Sequence, residues 1–176
     1  MEYRTLKEEE ITLELFSHFQ RHQTVGKCWR RDKNGSWCIK DDPFIDDWSE
    51  EDYNFLVTCL QNTIRTEGVV IGAFYQNELK GFVSVESELI GEKKEYLDLT
   101  SIHVSEDMRG QGVGRELFSQ AAAWAKAHGG KKLYISAHSA VETQSFYRNL
   151  GCTEAVEYQI SHVEQEPYDV QMEFVL

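Results

Sequence analysis

The order of elements along this chain predicts an α/β fold built on one mixed sheet. Three observations carry that prediction. Val69–Tyr75 and residues 79–86, joined by Gln76-Asn77, read as a β-hairpin. Residues 96–104, 113–128 and 132–137 read as strand, helix and strand, a crossover that implies one parallel step. Two more strand-like runs, 154–161 and 168–175, close the sheet, and the remaining amphipathic stretches supply helices for its faces.

Residues 1–6 read as a short strand. Ile11, Leu15, Phe16 and Phe19 have helical spacing, which predicts a helix over 6–21. Residues 22–48 read as irregular, with a turn at Asn34-Gly35 and a break at Pro43. Ser49 followed by Glu50, Glu51 and Asp52 is a helix start, continued by Tyr53, Leu56, Val57, Leu60 and Ile64 and ended by Gly68. Gly91-Glu92-Lys93 marks a turn. Val113, Leu117, Ala121, Trp124 and His128 line one helix face, which Gly129-Gly130 terminates. A short helix over 139–150 stops at Gly151.

The chain has 176 residues, 41% of them hydrophobic and only two of them proline, so it is expected to be one domain over 1–176 without a linker. No apolar run approaches the roughly 18–20 residues that span a bilayer. Residues 1–8 lack the charged-then-apolar layout of a signal peptide, so a cytoplasmic protein is expected. A net charge of −12 without any Lys/Arg cluster argues against nucleic acid and anionic membranes as partners. It would attract a cationic small molecule or basic peptide, and it serves solubility equally well. The four cysteines show no C-x-x-C pair, and Cys28 and Cys38 beside His18 and His22 match no common zinc spacing, so no metal is expected.

The chemistry concentrates at Arg109-Gly110-Gln111-Gly112-Val113-Gly114, between a strand and a helix. Glycines let the backbone approach a bulky anion and take positive φ. The helix start offers unpaired N–H groups and the positive end of its dipole, and Arg109 and Arg115 add charge. The segment reads as a pyrophosphate cradle. No Lys-Ser/Thr follows it, as a Walker A loop requires, and its position after antiparallel hairpins weakens a dinucleotide-binding reading, though a nucleotide-binding α/β domain stays open.

These residues resemble the GNAT superfamily of N-acetyltransferases. Residues 109–114 fit its R/Q-x-x-G-x-G/A signature. Asp98-Leu99-Thr100-Ser101-Ile102-His103-Val104 is similar to its acid-Leu-x-x-Leu-x-Val strand, and Phe146-Tyr147-Arg148-Asn149-Leu150-Gly151-Cys152 to its F-Y-x-x-L-G-F segment. The resemblance implies a three-layer α/β/α domain whose largely antiparallel sheet splays between strands 96–104 and 132–137, with acetyl-CoA as donor and no metal. The loop amides of Gly110, Gln111, Gly112, Val113 and Gly114, with Arg109 and Arg115, would hold the pyrophosphate. Backbone groups of Ile102 and Val104 would pair with the pantetheine amides. The implied activity is N-acetylation of a primary amine by direct transfer in a ternary complex. The alternative is an acyl-CoA-binding sensor without turnover.

By the same resemblance Tyr147 is the general acid for the leaving thiolate, or else an ordinary core aromatic. Asp98 would accept the amine's proton or hold the ammonium, with Glu86 as a second carboxylate; otherwise each is a strand-edge or ion-pair group. Strict alternation puts Tyr96, Asp98, Thr100, Ile102 and Val104 on one face and His103 on the other, under a helix. His103 and His138 flank the opening, each either a base or a structural histidine. The family often has Asn seven residues before the tyrosine. Here Ala140 stands there, so Ser139 or His138 would take over that contact. Trp29, Trp37 and Trp48, with Asp41, Asp42, Asp46, Asp47, Glu50, Glu51 and Asp52, either form a cation-binding acceptor site or anchor a soluble loop. The family often dimerises, and the β-rich C-terminus ending at Leu176 would supply an edge for a homodimer.

Overall fold

Alternating apolar residues build a seven-stranded sheet in the computed structural model, which describes residues 1–176. Its order is β1 (Glu2–Thr5), β4 (Val69–Tyr75), β5 (Glu78–Val85), β6 (Tyr96–Val104), β7 (Lys132–Ala137), β9 (Val170–Val175) and β8 (Thr153–Glu154). Every neighbouring pair is antiparallel except β6–β7, the expected parallel step. The helices are α1 (Glu50–Arg65), α2 (Val113–Ala127), α3 (Val141–Asn149) and α4 (Ile160–Gln165).

Two cores occupy the two faces. Val69, Ile71 and Ala73 point to the face covered by α2, with Leu97, Leu117, Ala121 and Leu133. Val70 and Phe74 alternate to the opposite face, with Leu56 and Leu60 of α1 and Phe82. Burying a leucine-sized side chain stabilises by about 1.5–3 kcal/mol, so these contacts, more than helix propensity, seat α1 and α2. Ser49 caps α1 as expected: its backbone N–H donates to Asp52 Oδ2 at 2.8 Å, and its hydroxyl accepts from the Asp52 N–H at 3.3 Å. Gly129, at φ 87°, ends α2.

Three expectations are corrected. Residues 6–21 form no continuous helix but two 3₁₀ turns, Glu8–Glu10 and Leu13–Phe16, because the chain is extended at Thr12 (φ −132°, ψ 165°). Ile11, Phe16 and Phe19 still reach the α1-side core, so their spacing reports anchoring rather than helix.

Residues 22–48 are not irregular. β2 (His22–Arg31) and β3 (Trp37–Asp47) form a separate antiparallel hairpin closed near Asn34-Gly35. Its register shifts between Val25↔Phe44 and Lys27↔Asp41, so Pro43 sits in a bulge where no ladder N–H is needed. Residues 154–161 are not one strand: β8 has two residues, and α4 begins at Ile160. At the C-terminal end of the sheet β9 lies between β7 and β8, and the two-residue β8 forms the edge. No helix is long and apolar enough to cross a membrane.

Candidate active site

A β-bulge creates the site. On β5, Ser84 pairs with Ser101 and Val85 with Leu99, leaving Thr100 as an extra residue in β6. A bulge bends its strand and increases local twist. The β6–β7 ladder stops at Asp98↔Tyr134, whereas β6 stays paired with β5 as far as Gly81↔Val104. The β7-facing backbone from residue 99 to 104 therefore has no strand partner. The opening is part of a cleft of about 1680 Å³ that runs from the glycine loop to α1 and α4.

Of the residues expected to act in catalysis or to bind the cofactor, all but Gln111 and Ser139 line this cleft. Gln111 instead reaches back to the Asp107 carbonyl at 3.4 Å. At the loop, Gly110 and Gly112 have φ of 75° and 83°, the left-handed region that L side chains rarely adopt. A Cβ at either would meet nothing within 4 Å, so the space above them is open. Gly112 caps α2 without any side-chain hydrogen bond, so the first N–H groups of the helix keep their donors for another partner. Gly114 serves packing: a Cβ there would lie 3.2 Å from the Phe146 ring. Open space, uncapped amides and the Arg115 side chain suit a diphosphate. Arg109 also lines the cleft, and its Nε donates to the Val104 carbonyl at 3.2 Å.

The bulge overturns the expected alternation of β6. Leu97 and Leu99 face the α2 core, and after the extra residue so do Ile102 and Val104. Asp98, Thr100 and His103 consequently share the α1 side. Thr100 Oγ1 meets Ser84 Oγ at 2.8 Å, and the His103 ring packs on Trp48 (4.7 Å between centroids) and Phe82 (5.4 Å). His103 is thus on the same face as Asp98, not away from it. Burial, then the nearby charges of Arg21 and Arg109, pull its pKa to about 3. It is neutral at working pH and unsuited to be a base.

One prediction concerns stability. An unfolded His103 binds a proton below about pH 6.5, while the folded one refuses it until about pH 3. Stability must fall as pH drops through that window, by an amount on the order of a few kcal/mol. In urea titrations from neutral pH downward, His103→Gln is expected to lose less stability than the wild type.

The carboxylates gather on the same side. Glu86 accepts from Thr63 Oγ1 of α1 at 2.6 Å, and its N–H donates to the Asp98 carbonyl at 2.9 Å. Asp98 is only 8% exposed; its Oδ2 lies 2.7 Å from His162 Nε2, and its Oδ1 is buried without a partner. Glu166 and Asp169 also line this end. Burial, and next the charge of Glu166, raise the Asp169 carboxyl to about 6. His162 and Asp169 were not foreseen. Both lie around a six-residue helix with no side-chain cap, and His162 follows directly on a segment that reads as strand. Nothing periodic in the sequence marks them.

On the α2 side, Tyr147 of α3 packs among Phe118 and Phe146 and lines the cleft. Burial, with smaller contributions from Cys152 and Asp169, pushes its phenol above the ordinary value. Ser139 does not face the cleft as expected. It is buried, its hydroxyl accepts from Arg30 of β2, and its carbonyl accepts from the Trp29 N–H at 2.8 Å. Ala140 packs against Val25 and Cys28 of β2, which leaves no room for the larger Asn. His138 lines the cleft with its ring against Phe44, and its Nδ1 accepts from the Ala140 N–H.

The tryptophan-and-acid stretch mostly does other work. Among the tryptophans only Trp48 lines the cleft. Trp37 donates to Glu154 at 3.0 Å, and Arg148 stacks on Trp29. Asp46 pairs with Arg21, Asp42 with Arg30 and Asp41 with Lys27, while Asp52 caps α1.

The geometry agrees with what is known of other proteins. The acetyltransferase (GNAT) family profile matches residues 14–152. The fold superposes on the crystal structure of nourseothricin acetyltransferase with a TM-score of 0.72, at 18% identity, over 99% of this chain and 97% of that one. A putative streptothricin acetyltransferase from Bacillus anthracis str. Ames, in complex with acetyl coenzyme A, gives 0.69 at 18% identity, over 98% and 95%. The PaiA N-acetyltransferase of Thermoplasma acidophilum, in complex with coenzyme A, gives 0.61 at 17%, over 99% and 98%. No curated protein sequence is a match. With the glycine loop, the parted strands and most of the length of the chain inside one family profile, this protein belongs to the GNAT family of acetyltransferases.

Proposed function

We propose that this enzyme transfers an acetyl group from acetyl-CoA to a primary amine of a small cationic molecule, directly and within a ternary complex. The observation that carries the reading is the polarity of the single cleft. At one end lie the uncapped amides of α2 and Arg115, which suit a diphosphate; at the other lie Glu86, Asp98, Glu166 and Asp169, which suit an ammonium. The unpaired backbone of β6 runs between them. Neighbours of the same fold include enzymes named for nourseothricin and streptothricin, in keeping with a small-molecule acceptor.

The chain's own groups have distinct parts in this scheme. The loop amides do not titrate, so the donor stays anchored at any ordinary pH. Asp98 and Glu86 draw the ammonium into place. Tyr147, held protonated by burial, gives its proton to the departing thiolate. Cys152 lies beside this region, but burial raises its thiol to about 12, which opposes a covalent acetyl-cysteine and favours direct transfer.

The test is thiol release from acetyl-CoA over a panel of mono-, di- and polycationic amines, alongside neutral and acidic ones, with acetyl-CoA binding followed by calorimetry. Turnover is expected on cationic amines and not on acidic ones. Binding of acetyl-CoA without release on any amine would instead leave an acyl-CoA-binding module.

A further inference from the structure

We propose that His162 is the base that takes the proton of the acceptor ammonium, and that Asp98 positions it: the imidazole lines the cleft and donates through Nε2 to the buried Asp98 carboxylate at 2.7 Å, leaving Nδ1 as the proton-accepting nitrogen. This rests on the amine-acetylation reading above.

The ring is fixed on two sides. Besides the bond to Asp98, it stacks on Tyr134 of β7, with centroids 5.5 Å apart and planes 25° from parallel. The Tyr134 hydroxyl in turn accepts from the Gln159 N–H at 3.0 Å, which pins the start of α4 and so the backbone that carries His162. An imidazole held by a carboxylate on one nitrogen keeps one tautomer and one orientation, and the carboxylate stabilises the imidazolium that forms.

Asp98 alone is a poor base for this task. An imidazole, whose ordinary pKa is about 6.5, suits proton transfer from an alkylammonium at neutral pH better than a carboxylate does. Asp98 is also committed to His162 through Oδ2, and its Oδ1 is buried. The titratable groups that act on the ring are Asp98 from β6, Tyr134 from β7 and Asp169 after α4, and Glu166 lines the same cleft. The hydrogen bond that His162 donates to Asp98 raises the histidine above its ordinary value, against the opposing effect of burial, and so narrows the gap to the ammonium.

The step balances as follows. The ammonium gives one proton to His162 Nδ1. The freed nitrogen lone pair forms the N–C bond to the acetyl carbon, and the C–S bond breaks. The thiolate takes a proton from Tyr147, which recovers one as the amide nitrogen sheds its second. The products are the amide and the thiol, and the proton on His162 returns to solvent.

The test uses the full chain and an amine that the wild type acetylates. His162→Asn and His162→Gln both lack a titrating ring. Each is expected to lower kcat at neutral pH by about 10²-fold, to keep acetyl-CoA affinity by calorimetry, and to lose the acidic limb of the kcat–pH profile. Asp98→Asn is expected to shift that limb, and the His162 ring pKa read by NMR, to lower pH. Wild-type kcat and profile in either His162 variant would overturn the proposal. So would a wild-type ring that titrates below the ordinary histidine value, a measurement that needs no variant. Inactivity of the wild type on every amine would overturn the acceptor reading itself, and this proposal with it, before any variant is made.

Discussion

Tyr147→Phe is expected to lower kcat for amine acetylation by about 10²–10³-fold while leaving acetyl-CoA affinity nearly unchanged. The substitution removes one hydroxyl and keeps the ring that packs between Phe118 and Phe146. The fold therefore has no cavity to absorb, and the loss falls on the step in which the thiolate needs a proton. Burial holds this phenol above its ordinary value, so it stays protonated across the neutral range, and its own titration should leave no mark on the pH profile. Pre-steady-state thiol release and calorimetry separate the two quantities. Weaker acetyl-CoA binding at unaltered kcat would reassign Tyr147 to packing.

The second large effect is expected at the glycine loop. Gly112→Ala should weaken acetyl-CoA binding by about tenfold or more. The residue caps α2 at φ 83°, where an L side chain costs about 1–2 kcal/mol, and 1.4 kcal/mol is a factor of ten in affinity. The new Cβ would meet no protein atom within 4 Å, so nothing in the free chain clashes. Either the loop relaxes and misplaces its amides, or it holds shape with a methyl group in the space above them. A loop that relaxes would spare the melting temperature and one that holds its shape would lower it by a few degrees, while the dissociation constant rises in both cases, and that rise checks the assignment. A large fall in melting temperature at unchanged affinity would make Gly112 a folding residue only.

How far the sequence revealed this site depends on the physical signal each residue carried. The Ser49 capping box, the α2 stripe of Val113, Leu117 and Ala121, and the glycine run are local patterns, and they appear where the residues imply. Residues 22–48 misled because a hairpin standing outside the main sheet need not alternate apolar with polar, and Pro43 breaks a strand only where its missing N–H is required. The face of His103 was misread because period-two counting assumes an unbroken ladder; one extra residue at Thr100 reverses every side chain beyond it. His162 gave no signal at all. Its meeting with Asp98 spans 64 positions of sequence and depends on a short helix held by Tyr134. The acids of 41–52 were visible, but their partners Lys27, Arg30 and Arg21 were not, so charge alone could not tell an ion pair from a binding surface.

The β2–β3 arm closes its hydrogen-bond ladder on itself and touches the seven-stranded sheet's framework through few main-chain links, the Cys28↔Ala140 bridge and the Trp29–Ser139 bond among them. Gln23 and Thr24 on that arm nevertheless reach the cleft. Substitutions at these two positions would therefore reshape one wall of the opening without disturbing the turn that leads into α2.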